Sequence, residues 1–174
     1  ATVMSWRGEQ GGIEAAKMGH NVVMTPGSHC YFDHYQGDPS LEPLAIGGYT
    51  TLKKVYQYEP VPAELNENEA RFVLGAQANV WTEYMPDGKQ VEYMIFPRLS
   101  ALAEVVWSPK QSRDWPGFSR RMETQYQRYK RVGANFSTSA YQVTSSAVPD
   151  MKNKTVKVAL STEAWNAQIR YTTD

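Results

Sequence analysis

The residues best placed to do chemistry lie in Leu74-Gly-Ala-Gln-Ala-Asn-Val-Trp81-Thr-Glu83, where a short strand pattern ends in an indole and, two positions on, a carboxylate. Residues i and i+2 of a strand share a side, so Trp81 and Glu83 can present a ring face and a hydrogen-bond acceptor to one ligand. Carbohydrate suits that pairing, because its apolar C–H faces stack on aromatic rings while its hydroxyls take polar or charged partners. Two earlier segments have the same character. Trp6 follows the strand-like Thr2–Ser5, and Tyr31 and Asp33 lie in a polar, aromatic loop opened by Pro26-Gly27. Three successive strand ends would therefore form one pocket wall.

Those strand ends need a scaffold that brings them together. Thr2 to Trp6 reads as a strand, followed by a helix to about Gly19, whose glycine can cap the C-terminus. Asn21 to Thr25 is the next strand, and its continuous Val22-Val23-Met24 fits a strand covered on both faces of a parallel sheet. A short helix over 50–58 stops at Pro60 and Pro62, and a helical turn over 64–70 leads into a strand over 72–80. Apolar spacing predicts helix over 91–107, with a kink or fresh start at Pro97, and another over 117–132 before Gly133. Strand, loop and helix repeat three times, which predicts a parallel α/β unit with its ligand loops after the strands. The tail differs: Ser and Thr dominate from Val143, and residues 155–160 and 168–172 alternate like two strands of a separate β module. The division expected is 1–136, a linker over 137–150 that includes Pro149, and 151–174.

Bulk properties exclude several classes. Eighteen basic residues balance eighteen acidic ones, and no basic run interleaves with aromatics, so neither a nucleic-acid partner nor a charged membrane surface is indicated. No stretch reaches the roughly 20 apolar residues of a membrane span. Cys30 is the single cysteine, which excludes an intrachain disulfide and a cysteine-based metal site. The chain opens at Ala1 within an apparent strand, from which an upstream portion is expected.

Four motifs carry a family resemblance: Met4-Ser-Trp6, Pro26-Gly-Ser-His-Cys-Tyr31-Phe-Asp33, Gly75-Ala-Gln-Ala-Asn-Val-Trp81-Thr-Glu83 and Phe96-Pro-Arg-Leu-Ser-Ala-Leu-Ala-Glu104. Through them residues 1–132 resemble family 20 glycoside hydrolases, the β-N-acetylhexosaminidases. The resemblance implies a partial TIM (β/α)8 barrel, strands six to eight with their helices, followed by the start of a truncated β-sandwich-like module. It implies removal of terminal β-linked N-acetylglucosamine or N-acetylgalactosamine with retention, by substrate-assisted catalysis, without metal or organic cofactor. The acetamido oxygen is the nucleophile in that mechanism, served by an adjacent Asp-Glu pair. No Asp-Glu dipeptide occurs in this sequence. The general acid is thus expected upstream, and the piece alone is expected to be inactive. Tyr31 looks like the phenol that holds the acetamido oxygen, Trp6 and Trp81 like the aromatic walls, and Asp33 and Glu83 like acceptors for sugar hydroxyls. The implied partner is an N-acetylhexosamine-containing glycan, with self-association or pairing with the rest of the barrel completing the fold. Export to the periplasm, cell surface or medium is expected from the substrate class.

Other assignments compete. A non-catalytic carbohydrate-binding barrel, or a barrel glycosidase using two enzyme carboxylates with Asp33 and Glu83 as candidates, fits the same residues. Each site residue also has a structural competitor: Trp6 or Trp81 as a core aromatic, Glu83 as a solvated carboxylate, Tyr31 as a packing phenol, Asp33 as the cap of a helix beginning near His34. His29 and His34 are read as structural rather than metal-binding, and Cys30 as an unactivated thiol. Glu104 is read as structural, pairing with a neighbour such as Arg98 or with a backbone group. Asn135-Phe-Ser137 and Asn153-Lys-Thr155 match glycosylation sequons, which arise often by chance.

Overall fold

A computed structural model describes residues 1–172. Its centre is a three-stranded parallel sheet of β1 (Thr2–Ser5), β2 (Asn21–Met24) and β3 (Val73–Ala76), ordered β1-β2-β3. Helix α1 (Gln10–Lys17) joins β1 to β2, and α2 (Leu52–Tyr56) and α3 (Glu67–Ala70) lie in the long connection to β3. Helices α4 (Gly88–Ile95), α5 (Arg98–Trp107) and α6 (Trp115–Val132) follow. The predicted α/β class is observed, and the middle strand is covered on one face only: Val22 and Met24, which share a face, are fully buried, whereas Val23 on the other face is half-buried and lines an open apolar concavity.

Local chemistry sets the boundaries. The helical periodicity expected across 91–107 is split at Pro97, which α5 uses as its start, because proline cannot donate in a helix interior. Helix α6 begins with Asp114 accepting the Gly117 N–H and ends at Gly133 with φ 68°, a left-handed cap natural to glycine. Gly12 lets α1 pack closely on the sheet: a Cβ there would sit 2.7 Å from the end of the Met24 side chain, which would have to shift to make room.

One core cluster joins α2, α5 and α6 around Phe32, Val55, Leu102, Phe118 and Tyr126. A second lies between α1 and the sheet, around Ile13, Ala16, Val22, Met24 and Cys30. The partner expected for Glu104 is different from the one observed. Glu104 takes two hydrogen bonds from Arg121, at 2.6 and 2.7 Å, and one from the Tyr56 hydroxyl at 2.7 Å. Arg98 projects from the opposite end of α5, too far along the helix to share that carboxylate.

In the tail, β4 (Thr144–Asp150) pairs antiparallel with β5 (Thr155–Ser161), so strand structure begins inside the stretch read as a linker. The strand expected over 168–172 is absent; those residues form no ladder, as alternation without a partner strand cannot hold an extended segment. The β4–β5 turn is closed by Asp150, whose carboxylate accepts the N–H groups of Lys152 and Asn153. Glu163, just beyond β5, reaches back to the first turn of α2, accepting the Thr51 hydroxyl at 2.6 Å and the Lys53 N–H at 3.0 Å. No helix among the described residues is long and apolar enough to cross a membrane.

Candidate active site

Each strand delivers its side chains differently. After β1, Ser5 fixes the turn by donating to the Gly8 carbonyl at 2.6 Å and accepting the Gly12 N–H at 2.9 Å. Trp6 projects from the start of that turn, with the Arg7 guanidinium 4.8 Å from its ring centroid. After β2 the chain runs into a loop that bridges back to the line of β3. The Phe32 N–H donates to the Asn79 carbonyl at 2.8 Å and the Asn79 N–H to the Cys30 carbonyl at 2.7 Å, so Tyr31 and Asn79 pair as in a parallel ladder. After β3, Gln77, Asn79, Trp81 and Glu83 keep the two-residue period and point to one side.

The five residues selected from the sequence, Trp6, Tyr31, Asp33, Trp81 and Glu83, line one open cavity of about 790 Å³. That size suits a sugar-scale ligand. Trp6 and Trp81 are about half exposed, at 52% and 54%, and neither belongs to a core cluster, which rules out the core-aromatic alternative. Asp33 is buried at 6% exposure. Its Oδ1 has no hydrogen-bond partner, and no helix begins near His34, so it is not a cap. A buried carboxylate oxygen without a donor is costly unless a ligand supplies one.

Burial raises the Asp33 pKa; its own backbone N–H, His34 and Arg98 oppose the rise, and the Glu83 charge adds to it. His34 donates to or accepts from Thr50 Oγ1 at 3.0 Å and packs 5.5 Å from the Tyr31 ring, and burial lowers its pKa. His29 stacks on Tyr58 at 4.9 Å. Both histidines thus pack against neighbouring rings, and no group of three metal-ligating side chains occurs among the described residues. Cys30 is fully buried and its thiol is pushed up to about 12 by desolvation, which leaves it un-ionised and unreactive.

Met4, Thr25, Ile46, Gln77 and Asn79 complete the lining. Gln77 and Asn79 share the parity of Trp81 and could have been read from the sequence. Ile46 could not, since it reaches the mouth from the far end of the β2 loop. An apolar concavity of about 770 Å³ adjoins this site through Gln77, between β3 and α5, and leaves Leu74 and Trp107 62% and 87% exposed.

Comparison with known proteins points one way. The family described as glycosyl hydrolase family 20, catalytic domain, matches residues 1–110. A β-hexosaminidase of Porphyromonas gingivalis is 53% identical over 137 residues, covering 78% of this chain and 18% of that protein. A β-N-acetylhexosaminidase of Cellulomonas fimi is 35% identical over 130 residues, covering 73% and 25%. The chain therefore spans a quarter or less of these relatives. Among solved structures, a family 20 exo-β-N-acetylglucosaminidase from Vibrio harveyi in complex with N-acetylglucosamine superposes with a TM-score of 0.69 at 32% identity, covering 79% of this chain and 22% of that one. A β-N-acetylhexosaminidase from Streptomyces coelicolor gives 0.69 at 29% identity, covering 80% and 29%.

Proposed function

The chain belongs to glycosyl hydrolase family 20, and from that premise we propose that it forms one side of the active site of a retaining exo-β-N-acetylhexosaminidase. The observation that carries the proposal is the convergence of Trp6, Tyr31, Asp33, Trp81 and Glu83 on one cavity from three consecutive strand ends. In this reading the parallel sheet is the sixth to eighth strands of an eight-stranded barrel. Its outer strands β1 and β3, with the exposed Leu74, Leu99, Val106 and Trp107, pair with the other strands of the parent protein or with a second copy. Residues 1–136 form the barrel part, and the β4–β5 hairpin that opens at Thr144 is the start of a following β module. The parent is exported, since glycans of this kind are mostly met outside the cytoplasm.

The sugar would lie between the indoles of Trp6 and Trp81, with its hydroxyls donating to Asp33 and Glu83. Tyr31 would donate to the acetamido carbonyl oxygen and hold it beneath the anomeric carbon. That oxygen forms its bond to carbon as the glycosidic C–O bond breaks, and the leaving oxygen takes a proton from a general acid. Water then attacks the same carbon as the bond from the acetamido oxygen breaks, which regenerates the acetamide, and the water gives a proton back to the group that acted as acid. Tyr31 eases the charge gathering on the acetamido group. The acid itself, the Glu of an Asp-Glu pair, would come from a part of the parent outside this sequence, so this piece alone would not turn over substrate.

The test uses the full-length parent and an aryl N-acetyl-β-hexosaminide. Tyr31→Phe should lower kcat by about 100-fold or more, as for loss of a preorganised donor, while affinity for free N-acetylglucosamine changes little. An unchanged kcat would remove Tyr31 from the chemistry, and a parent without N-acetylhexosaminidase activity would overturn the function.

A further inference from the structure

Arg98 is a fully buried cation without a carboxylate partner among its hydrogen bonds. Its guanidinium donates only to backbone carbonyls: Nη2 to Phe32 at 2.5 Å and Met94 at 2.6 Å, Nη1 to His34 at 3.0 Å and Thr50 at 2.9 Å, and Nε to Met94 at 3.2 Å. The guanidinium carbon lies 4.8 Å from the Phe32 ring centroid. A charge taken out of water is expensive, and a fold that needed only packing here would be served by an apolar side chain. The arrangement of the acceptors shows what the charge accomplishes. Phe32 and His34 flank Asp33 on either side, and Tyr31 precedes Phe32, so both carbonyls next to the buried carboxylate are tied to one rigid planar fork. The Thr50 carbonyl closes the far end of the same loop, the end that carries Ile46 to the cavity mouth.

We propose that Arg98 is a positioning residue for the sugar site: by gathering the carbonyls of Phe32, His34 and Thr50 it sets the placement of Tyr31 and Asp33 and puts a positive charge beneath the Asp33 carboxylate. It touches no lining of the cavity itself and acts through the backbone. Lysine cannot substitute, because an ammonium offers three donors from one point where the fork reaches four carbonyls from three nitrogens. The electrostatic side agrees, since Arg98 opposes the rise that burial imposes on the Asp33 pKa. This inference rests on the hexosaminidase reading.

Arg98→Lys and Arg98→Met in the full-length parent test it, alongside Arg121→Gln, which cuts the Glu104 pair on the outer surface. The readouts are thermal transition, kcat and KM on an aryl N-acetyl-β-hexosaminide, and affinity for N-acetylglucosamine. Arg98→Lys should fold, lower kcat at least tenfold and weaken N-acetylglucosamine binding several-fold, whereas Arg121→Gln should shift only the thermal transition. If folded Arg98→Lys or Arg98→Met enzyme keeps wild-type kcat and KM and merely melts earlier, as Arg121→Gln does, Arg98 is structural and the proposal fails. A wild-type parent inactive on the aryl substrate would instead overturn the reading beneath it, so the two failures are separable.

Discussion

The Tyr31–Asp33 wall of the cavity and the wall formed by Trp6, Trp81 and Glu83 face the same space but are held in different ways. The first is anchored from behind: Phe32 is fully buried in the core, its N–H is bonded to Asn79, and Arg98 takes the carbonyls on both sides of Asp33. The second projects from strand ends with its indoles about half exposed. A carboxylate kept at 6% exposure needs fixed dipoles around it, because it cannot reorient in water to find them. An indole meeting a sugar face needs only area and a roughly fixed plane, which one strand end supplies. Precision in this site is concentrated where charge is buried.

The largest expected effect comes from breaking the anchored wall at its root. Phe32→Ala should destabilise the parent by about 3–5 kcal/mol, the range for truncating a buried phenylalanine. An unshifted thermal transition would mean the core does not hold that wall. Trp81→Ala should do the opposite, leaving the thermal transition in place while raising KM roughly tenfold, equivalent to about 1.4 kcal/mol of lost stacking. Loss of fold in Trp81→Ala would erase the contrast.

Acid sharpens the comparison by a smaller amount. The Asp33 pKa lies above the ordinary aspartate value because of burial, so protonation begins at higher pH than for a solvated aspartate. Below that pKa the carboxyl carries a proton and loses acceptor capacity, so KM should rise a few-fold as pH falls through it. The sign for folding is opposite: a raised carboxyl pKa favours the folded state in acid, so this rise in KM should precede any unfolding. If Asp33→Asn shows the same KM profile, another group is responsible. The smallest effect is expected from Arg121→Gln, at most about 1 kcal/mol of stability, since the pair is partly exposed.

Much of the site was legible because strand geometry is periodic. Trp81 and Glu83 share a parity, and the continuous Val22-Val23-Met24 run marks the middle strand, although only the face of Val22 and Met24 is fully covered. Capping positions at Gly19 and Gly133 were likewise legible, since both take positive φ. Where pattern lacked a partner it misled. The alternation of residues 168–172 forms no ladder, whereas the Ser-rich 144–150 stretch, read as linker, pairs with β5. Glu104 has the structural pairing expected of it, but with Arg121 and Tyr56 rather than with Arg98, because sequence proximity does not say which side chains of other elements reach a carboxylate.

By itself, the sequence determined the three parallel strand units, the family motifs and five residues that line one cavity, because residue type and a two- or 3.6-residue period are local properties. Only the tertiary structure decided that Asp33 is buried with an unpartnered oxygen, that Ile46 lines the cavity, and that Arg98 donates, besides to Met94 four residues back, to carbonyls 48 to 66 residues away in the chain. Those facts depend on which distant segments share a dehydrated space, where every donor and acceptor must find its partner, and no local period encodes that.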